Sequence, residues 1–275
     1  DCHDLLPNMA DGDIAGAIGS RSPPENWTKG YVQVTDTLMA LQSLARDVRQ
    51  RYTDSTVSTD TKPVVAITGS CGKTTTRAMV ELVLASLGPV HATTGNFNNH
   101  IGLPLTLLKL PATSAACVLE LGMSHLGEIT ELAGICSPTV RVITNVAAAH
   151  TEGVGGIEGV AKAKGELFAT ARAGDVCVVN ADDHRVAALP IPAGCTVITY
   201  GTDPACDVWV EDVKTGGVAG LSTLFTLHHR NEQVGVEMDA PGRHMALNAA
   251  AAAAVGVAKG VPLKASGAAL QLYRP

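Results

Sequence analysis

An α/β protein with a mostly parallel sheet and helices on both faces is predicted by three features of this sequence. Short β-branched runs alternate with helical ones between residues 64 and 200. Those runs are apolar nearly throughout, as strands buried on both faces are. One of them ends in a glycine turn that opens directly into a helix. Taking the chain in order, residues 1–60 are polar and interrupted by Pro and Gly until Leu38, Leu41, Leu44 and Val48 recur at three-to-four spacing. That spacing predicts a helix ending near Arg51 and Tyr52. Residues 53–62 are rich in Ser, Thr and Asp and lead into Pro63, the composition of a linker, so a boundary falls near residue 60. Buried strands are expected at 64–68, 117–121, 140–144, 176–180 and 196–200. Helices are expected at 74–87, 127–135 and 157–172. The runs 207–213, 221–228 and 233–238 read as antiparallel strands, followed by a helix from 244 to about 258. The main domain therefore covers 61–260, after a partial small α/β domain at 1–60, and 261–275 begins a linker. There is no internal repeat.

A length of 275 residues allows a sizeable core and makes two domains the natural expectation. With 46% hydrophobic and 17% charged residues the chain is a folding one. Lys plus Arg number 20 against 26 for Asp plus Glu, a net charge of −6, and no basic run is available to neutralise a nucleic-acid backbone. DNA and RNA are not expected partners. The longest uncharged apolar stretch, 249–258, is too short for a bilayer that needs about 20 residues, so no membrane span is expected and that stretch reads as core. Seven scattered cysteines without a C-x-x-C pair fit a reducing compartment rather than a disulfide or zinc framework. No secretory signal is visible.

The strongest local signal is Val64-Val65-Ala66-Ile67-Thr68-Gly69-Ser70-Cys71-Gly72-Lys73-Thr74-Thr75-Thr76. Glycines let backbone N–H groups close around phosphate oxygens, the helix start adds about half a positive charge, and Lys73 adds a full one. Thr74 places a hydroxyl where magnesium would be held. The loop is a shortened variant of the usual phosphate-binding motif, because Ile67 stands where its first glycine would be. The alternative is an ordinary strand-to-helix turn with an exposed lysine. Strand, turn and helix all agree with the motif, which makes residues 68–75 candidates for holding ATP: Thr68, Gly69, Ser70, Cys71, Gly72, Lys73, Thr74 and Thr75. Cys71 has no acid or base partner in the sequence and reads as structural.

Four further segments follow in order: Thr94-Gly95-Asn96-Phe97-Asn98-Asn99-His100, Glu120-Leu121-Gly122-Met123-Ser124-His125-Leu126-Gly127-Glu128, Thr144-Asn145-Val146-Ala147-Ala148-Ala149-His150, and Ala161-Lys162-Ala163-Lys164-Gly165-Glu166. With the phosphate loop they make the chain resemble the Mur ligase family, over about residues 63–258. The Gly-Asn-Phe-Asn-Asn loop and the Lys-Ala-Lys-Gly-Glu helix resemble those members that add D-alanyl-D-alanine to UDP-N-acetylmuramoyl tripeptide. Before residue 60 only Val34-Thr35-Asp36-Thr37 and its helix resemble the family's UDP-substrate-binding domain.

The resemblance implies an ATP-dependent amide-bond ligase with Mg²⁺, working through an acyl phosphate in peptidoglycan precursor synthesis. It implies a monomer in the cytoplasm, or in a plastid stroma. Lys73 would contact the phosphates, Thr74 and Glu120 would hold one magnesium ion, and His150 would serve a second. Lys164 would be carbamylated, turning a cation into an anion that assists the metal. Asn96, Asn98 and Asn99 would orient the muramoyl peptide, and Asn248 would recognise adenine, with Met245 standing where many members carry asparagine. Blander readings stay open for each. Glu120 could be a solvated strand-end carboxylate, His150 a hydrogen-bonded structural residue and Lys164 an exposed helical lysine with Lys162 as its rival. The three asparagines could be turn residues, and His125 reads as bland. The family carries a carboxyl-terminal domain that this sequence stops short of, so the 275 residues alone are expected to bind nucleotide and turn over poorly. A nucleotide-binding module without ligase activity and a generic phosphate-loop hydrolase or kinase are the competing functions.

Overall fold

The computed structural model describes residues 14–54, 62–148, 154–216 and 220–275. Its centre is a nine-stranded sheet. In chain order its strands are β3 (Val64–Thr68), β4 (Val90–Ala92), β5 (Ala116–Glu120), β6 (Val140–Ile143), β7 (Val176–Asn180), β8 (Thr196–Gly201), β9 (Val208–Gly216), β10 (Ser222–His229) and β11 (Glu232–Met238). A separate parallel pair, β1 (Gly16–Gly19) and β2 (Gly30–Gln33), precedes it. The spatial order is β11-β10-β9-β8-β7-β6-β3-β5-β4. Pairing is parallel from β4 through β9 and antiparallel at β9-β10-β11.

The period-2 alternation of a strand decides which side chains face which layer. Val65 and Ile67 of β3, Val118 of β5, Val142 of β6 and Val178 of β7 point into one core; Val64, Ala66, Leu119, Ile143 and Val179 point into the other. The first core is covered by α2 (Lys73–Leu84), α7 (Arg243–Ala258) and α8 (Leu263–Leu270). The second is covered by α1 (Thr37–Asp54), α3 (Gly102–Leu108), α4 (Glu128–Cys136) and α5 (Gly156–Ala169). A short α6 (His184–Ala187) follows β7. Ala249 through Ala254 of α7 are all buried, so the alanine-rich run is core: with no bulk beyond Cβ it lets α7 pack closely between α2 and the sheet. Among the described residues no helix is long and apolar enough to cross a membrane.

Elements expected from periodicity are present within a few residues of their expected bounds. The stretch 261–275, expected to begin a linker, instead carries α8, because Leu263, Leu270 and Tyr273 find the same core as α7. Five further elements, β1, β2, β4, α3 and α6, escaped the pattern reading. β4 is three residues long, and α3 begins Gly102-Leu103-Pro104, whose breakers mask a helix that accommodates proline in its first turn.

Arg49 ties α1 to α4. Its buried guanidinium donates from Nε to Cys136 O (2.7 Å) and from Nη2 to Ser137 O (2.7 Å), neutralising the carboxyl end of α4. Burial pushes its pKa below the ordinary arginine value. Replacing Arg49 with alanine leaves those carbonyls without charge-assisted donors, and a loss of about 2–3 kcal/mol is expected in urea unfolding. A loss under about 0.5 kcal/mol would show that the cap is not holding α1 in place.

Candidate active site

In an open parallel sheet the ligand crevice lies at the carboxyl ends of the strands, where the strand order reverses. Here the chain runs outward from β3 to β5 and β4 on one side and to β6, β7 and β8 on the other, so the reversal lies at β3. The carboxyl ends of β3, β5 and β6 carry Thr68, Glu120 and Thr144. The candidate groups converge because three neighbouring parallel strands end there together.

The phosphate loop connects β3 to α2. Gly72, its helix cap, sits in the left-handed region at φ 80°, and a Cβ there would lie 2.7 Å from Asn248 Oδ1. The first N–H groups of α2 have no acceptor inside the helix and point toward the loop. The loop is braced by the segment after β6. Ser70 N donates to Asn145 O (3.0 Å), Cys71 N donates to Asn145 Oδ1 (3.0 Å), and Asn145 Nδ2 and Thr144 Oγ1 donate to Cys71 O at 3.0 and 2.6 Å. Ala147 N donates to Ser70 Oγ (2.9 Å), and Thr68 Oγ1 to Leu121 O (2.9 Å). Thr68, Ser70 and Cys71 therefore spend these polar groups shaping the loop. The donors left facing its hollow belong to the start of α2 and to Lys73, whose Nζ reaches back to Gly69 O (3.0 Å).

Across from the loop, Glu120 is only 3% exposed and each of its oxygens has a partner. Thr74 Oγ1 donates to Oε2 and Asn98 Nδ2 to Oε1, both at 2.8 Å. The Glu120 backbone N–H donates to Thr93 Oγ1 (3.0 Å). The solvated-carboxylate reading of Glu120 is thus replaced by a buried, doubly bonded one. Two hard oxygen donors, Thr74 Oγ1 and Glu120 Oε2, lie close enough to share a cation, and this donor set suits Mg²⁺, which takes few protein ligands and keeps water. Among the described residues no three His, Cys, Asp or Glu side chains cluster as a metal site. His150, the fourth expected metal-side residue, lies outside the described residues.

Beside these groups opens a cleft of about 360 Å³, lined by Lys73, Asn98, Asn99, Gly122, Ser124, Glu128 and Lys164 among others. Lys164 is 4% exposed and has no hydrogen-bond or ion-pair partner among the described residues, whereas Lys162 is exposed. Burial, reinforced by the positive charge of Lys73, pushes the Lys164 amine down to about 8.

The asparagines divide. Asn98 belongs to the Glu120 network. Asn99 accepts from Ile101 N and Gly102 N (3.1 and 2.8 Å) through Oδ1, so that atom caps α3 while the residue still lines the cleft. Asn96 is exposed on the turn, where its carbonyl accepts from Asn98 N (2.8 Å). Asn248 is 7% exposed, with its amide against Gly72 of the phosphate loop. Sequence reading assigned no role to Thr93, Asn145 or Glu166. Asn145 and Glu166 stood within quoted motifs, but their partners lie more than 30 residues away.

Fold and site together define a phosphate-loop α/β protein with a buried carboxylate at the loop and a buried lysine in the cleft beside it. The Mur ligase middle domain matches residues 67–256, and the chain belongs to the Mur ligase family. It is 36% identical over 264 residues to the UDP-N-acetylmuramoyl-tripeptide–D-alanyl-D-alanine ligase of Bacillus subtilis (strain 168), covering 95% of this chain and 54% of that protein. Its identity to the Escherichia coli (strain K12) enzyme of the same name is 35% over 267 residues, covering 96% and 56%. Among solved structures, MurF from Acinetobacter baumannii superposes with a TM-score of 0.89 at 29% identity, over 100% of this chain and 58% of that one. MurF ligase from Thermotoga maritima, in complex with ADP, superposes with a TM-score of 0.83 at 25% identity, over 99% and 60%. The chain spans about half the length of the curated relatives it matches.

Proposed function

We propose that this chain supplies the ATP-binding, carboxylate-activating centre of a ligase that joins D-alanyl-D-alanine to UDP-N-acetylmuramoyl tripeptide, as a cytoplasmic monomer. The observation that carries this reading is the continuous array Thr74–Glu120–Asn98 beside Lys73 and Lys164, at the mouth of the phosphate loop. The names of the relatives at 35–36% identity support the choice of substrates.

A carboxylate resists attack by an amine until one of its oxygens becomes a leaving group. In the proposed reaction that oxygen attacks the γ-phosphorus of ATP; the bond from phosphorus to the β–γ bridging oxygen breaks and ADP departs. The amine of D-alanyl-D-alanine then attacks the acyl carbon, the C–N bond forms, the C–O bond to phosphate breaks, and the amine releases a proton. Such phosphoryl transfer depends on positioning and charge neutralisation. Lys73 and the α2 N–H groups bind the phosphates, and Asn98 fixes the rotamer of Glu120. Thr74 and Glu120 would hold Mg²⁺, with His150 and a carbamylated Lys164 assisting; the ion neutralises phosphate charge. Asn98 and Asn99 line the cleft, and in this reading they would orient the peptide carboxylate there.

The test is an assay with UDP-N-acetylmuramoyl tripeptide, D-alanyl-D-alanine, ATP and Mg²⁺. One ADP and one phosphate per amide formed is the expected stoichiometry. Phosphate release that ignores both peptides would point instead to a hydrolase.

Carbamylation carries a pH signature. CO₂ reacts with a free amine, and an amine lowered to about 8 is half free at that pH, while an ordinary lysine at pH 8 is free at well under one part in a hundred. With ¹³CO₂, a carbamate carbon signal assigned to Lys164 is expected to grow from pH 6.5 to pH 8.5 and to vanish in Lys164→Met. For stability the same shift has the opposite sense to a salt-bridged lysine. The unfolded chain binds the proton more tightly, so stability rises as pH climbs from about 8 toward the ordinary lysine value.

A further inference from the structure

Glu166 ends the Lys-Ala-Lys-Gly-Glu motif, and its carboxylate leaves its own helix. Oε1 accepts from Gly127 N (2.7 Å), while Oε2 accepts from Thr130 N and Thr130 Oγ1 (both 3.1 Å). Those are the first donors of α4, whose cap residue, Gly127 at φ 93°, has no side chain with which to satisfy them. The cap that α4 lacks locally is supplied from α5, two residues beyond Lys164. The first turn of α4 is core on one side, where Ile129 is buried, and cleft wall on the other. Glu128 and Glu131 line the same cleft as Lys164, and Glu128 Oε2 in turn accepts from Ser124 N and His125 N (2.6 and 3.2 Å). Gly165 of α5 packs against the end of the Leu189 side chain, 2.7 Å from where a Cβ would lie. The far end of α4 is held separately by Arg49.

We infer that Glu166 is a positioning residue: by capping α4 from α5 it sets the separation between Lys164 and the cleft wall on α4, and so keeps Lys164 enclosed. Its importance for ligation rests on the function proposed above; the geometric claim stands apart from it.

The experiment labels the full chain with an amine-reactive reagent at fixed pH and reads Lys164 and Lys73 separately by peptide mass spectrometry, alongside hydrogen exchange of residues 124–132 and MgADP affinity. Glu166→Ala is expected to raise Lys164 labelling about tenfold relative to Lys73, with faster exchange in α4 and MgADP affinity within twofold of the parent. Glu166→Gln keeps one acceptor for Gly127 N and falls between the two. Arg141→Gln, which breaks a buried ion pair with Asp175 away from the cleft, destabilises the fold without moving the Lys164-to-Lys73 ratio. An unchanged ratio in Glu166→Ala, whatever α4 exchange does, overturns the inference and leaves Glu166 a helix cap alone. If Glu166→Ala does not fold, Glu166→Gln decides: a threefold rise supports the inference and no rise overturns it. A parent chain that fails to bind MgADP counts against the proposed function, while the labelling ratio still decides the role of Glu166.

Discussion

Lys73→Ala is expected to weaken MgADP binding by about 100-fold while leaving the urea midpoint almost unmoved. The magnitude comes from losing charge-assisted contacts to phosphate, each worth about 1.5–3 kcal/mol, with every 1.4 kcal/mol amounting to tenfold in affinity. Stability is spared because the hydrogen bond that Nζ makes among the described residues, to the Gly69 carbonyl at 3.0 Å, is a partly buried one that water can replace. Titration calorimetry on both proteins checks this. Equal affinity in the variant would mean that the loop does not hold the nucleotide, and with it the functional reading would fail.

Gly69→Ala is expected to damage both fold and site. A Cβ at this position would lie 1.8 Å from Thr144 Oγ1 and 3.2 Å from Asn145 N, so the added methyl must push β6 and its extension away from the loop. Thr144 and Asn145 make the bonds that shape Ser70 and Cys71, and the displacement therefore breaks the brace. A loss of about 2–3 kcal/mol in unfolding follows from overpacking and broken hydrogen bonds. A drop of at least about tenfold in MgADP affinity accompanies it, because the loop donors move with the backbone. Gly95→Ala is the matched control. It also has positive φ (58°), but a Cβ there would meet nothing within 4 Å, and only the backbone cost of about 1–2 kcal/mol, with MgADP affinity unchanged, is expected. If the two variants unfold at the same urea concentration, close approach at Gly69 is not what selects glycine there.

Much of the fold was legible because local pattern and global burial agree. The runs at 64–68 and 176–180 are apolar on both faces, and both became strands with those bounds. Where the pattern was short or broken by glycine and proline, as in β4 and α3, the partner strand or core face decides the structure, and a window of local sequence does not contain it. The site shows the same division. Lys73, Thr74 and Glu120 could be singled out because each ends or begins an element, and parallel topology brings such ends together. That Asn248 packs against Gly72 was not legible, since that depends on how α7 lies across α2. Asn145 and Glu166 were invisible as bracing groups, because a backbone amide in need of an acceptor leaves no mark in the sequence that supplies it.

The order of residues by itself determined the chemical repertoire: a glycine-flanked lysine at the start of a helix, an acid closing an apolar strand, and an amine on an amphipathic helix. These follow from covalent geometry and short-range periodicity, which act over a few residues. Tertiary structure alone decided which of those groups are paired and which are left free. Glu120 gained two donors from distant segments, and Lys164 gained a buried place with no partner among the described residues. The reason is that desolvation and hydrogen-bond satisfaction are properties of what surrounds a group in space, and those surroundings are assembled from parts of the chain far apart in sequence.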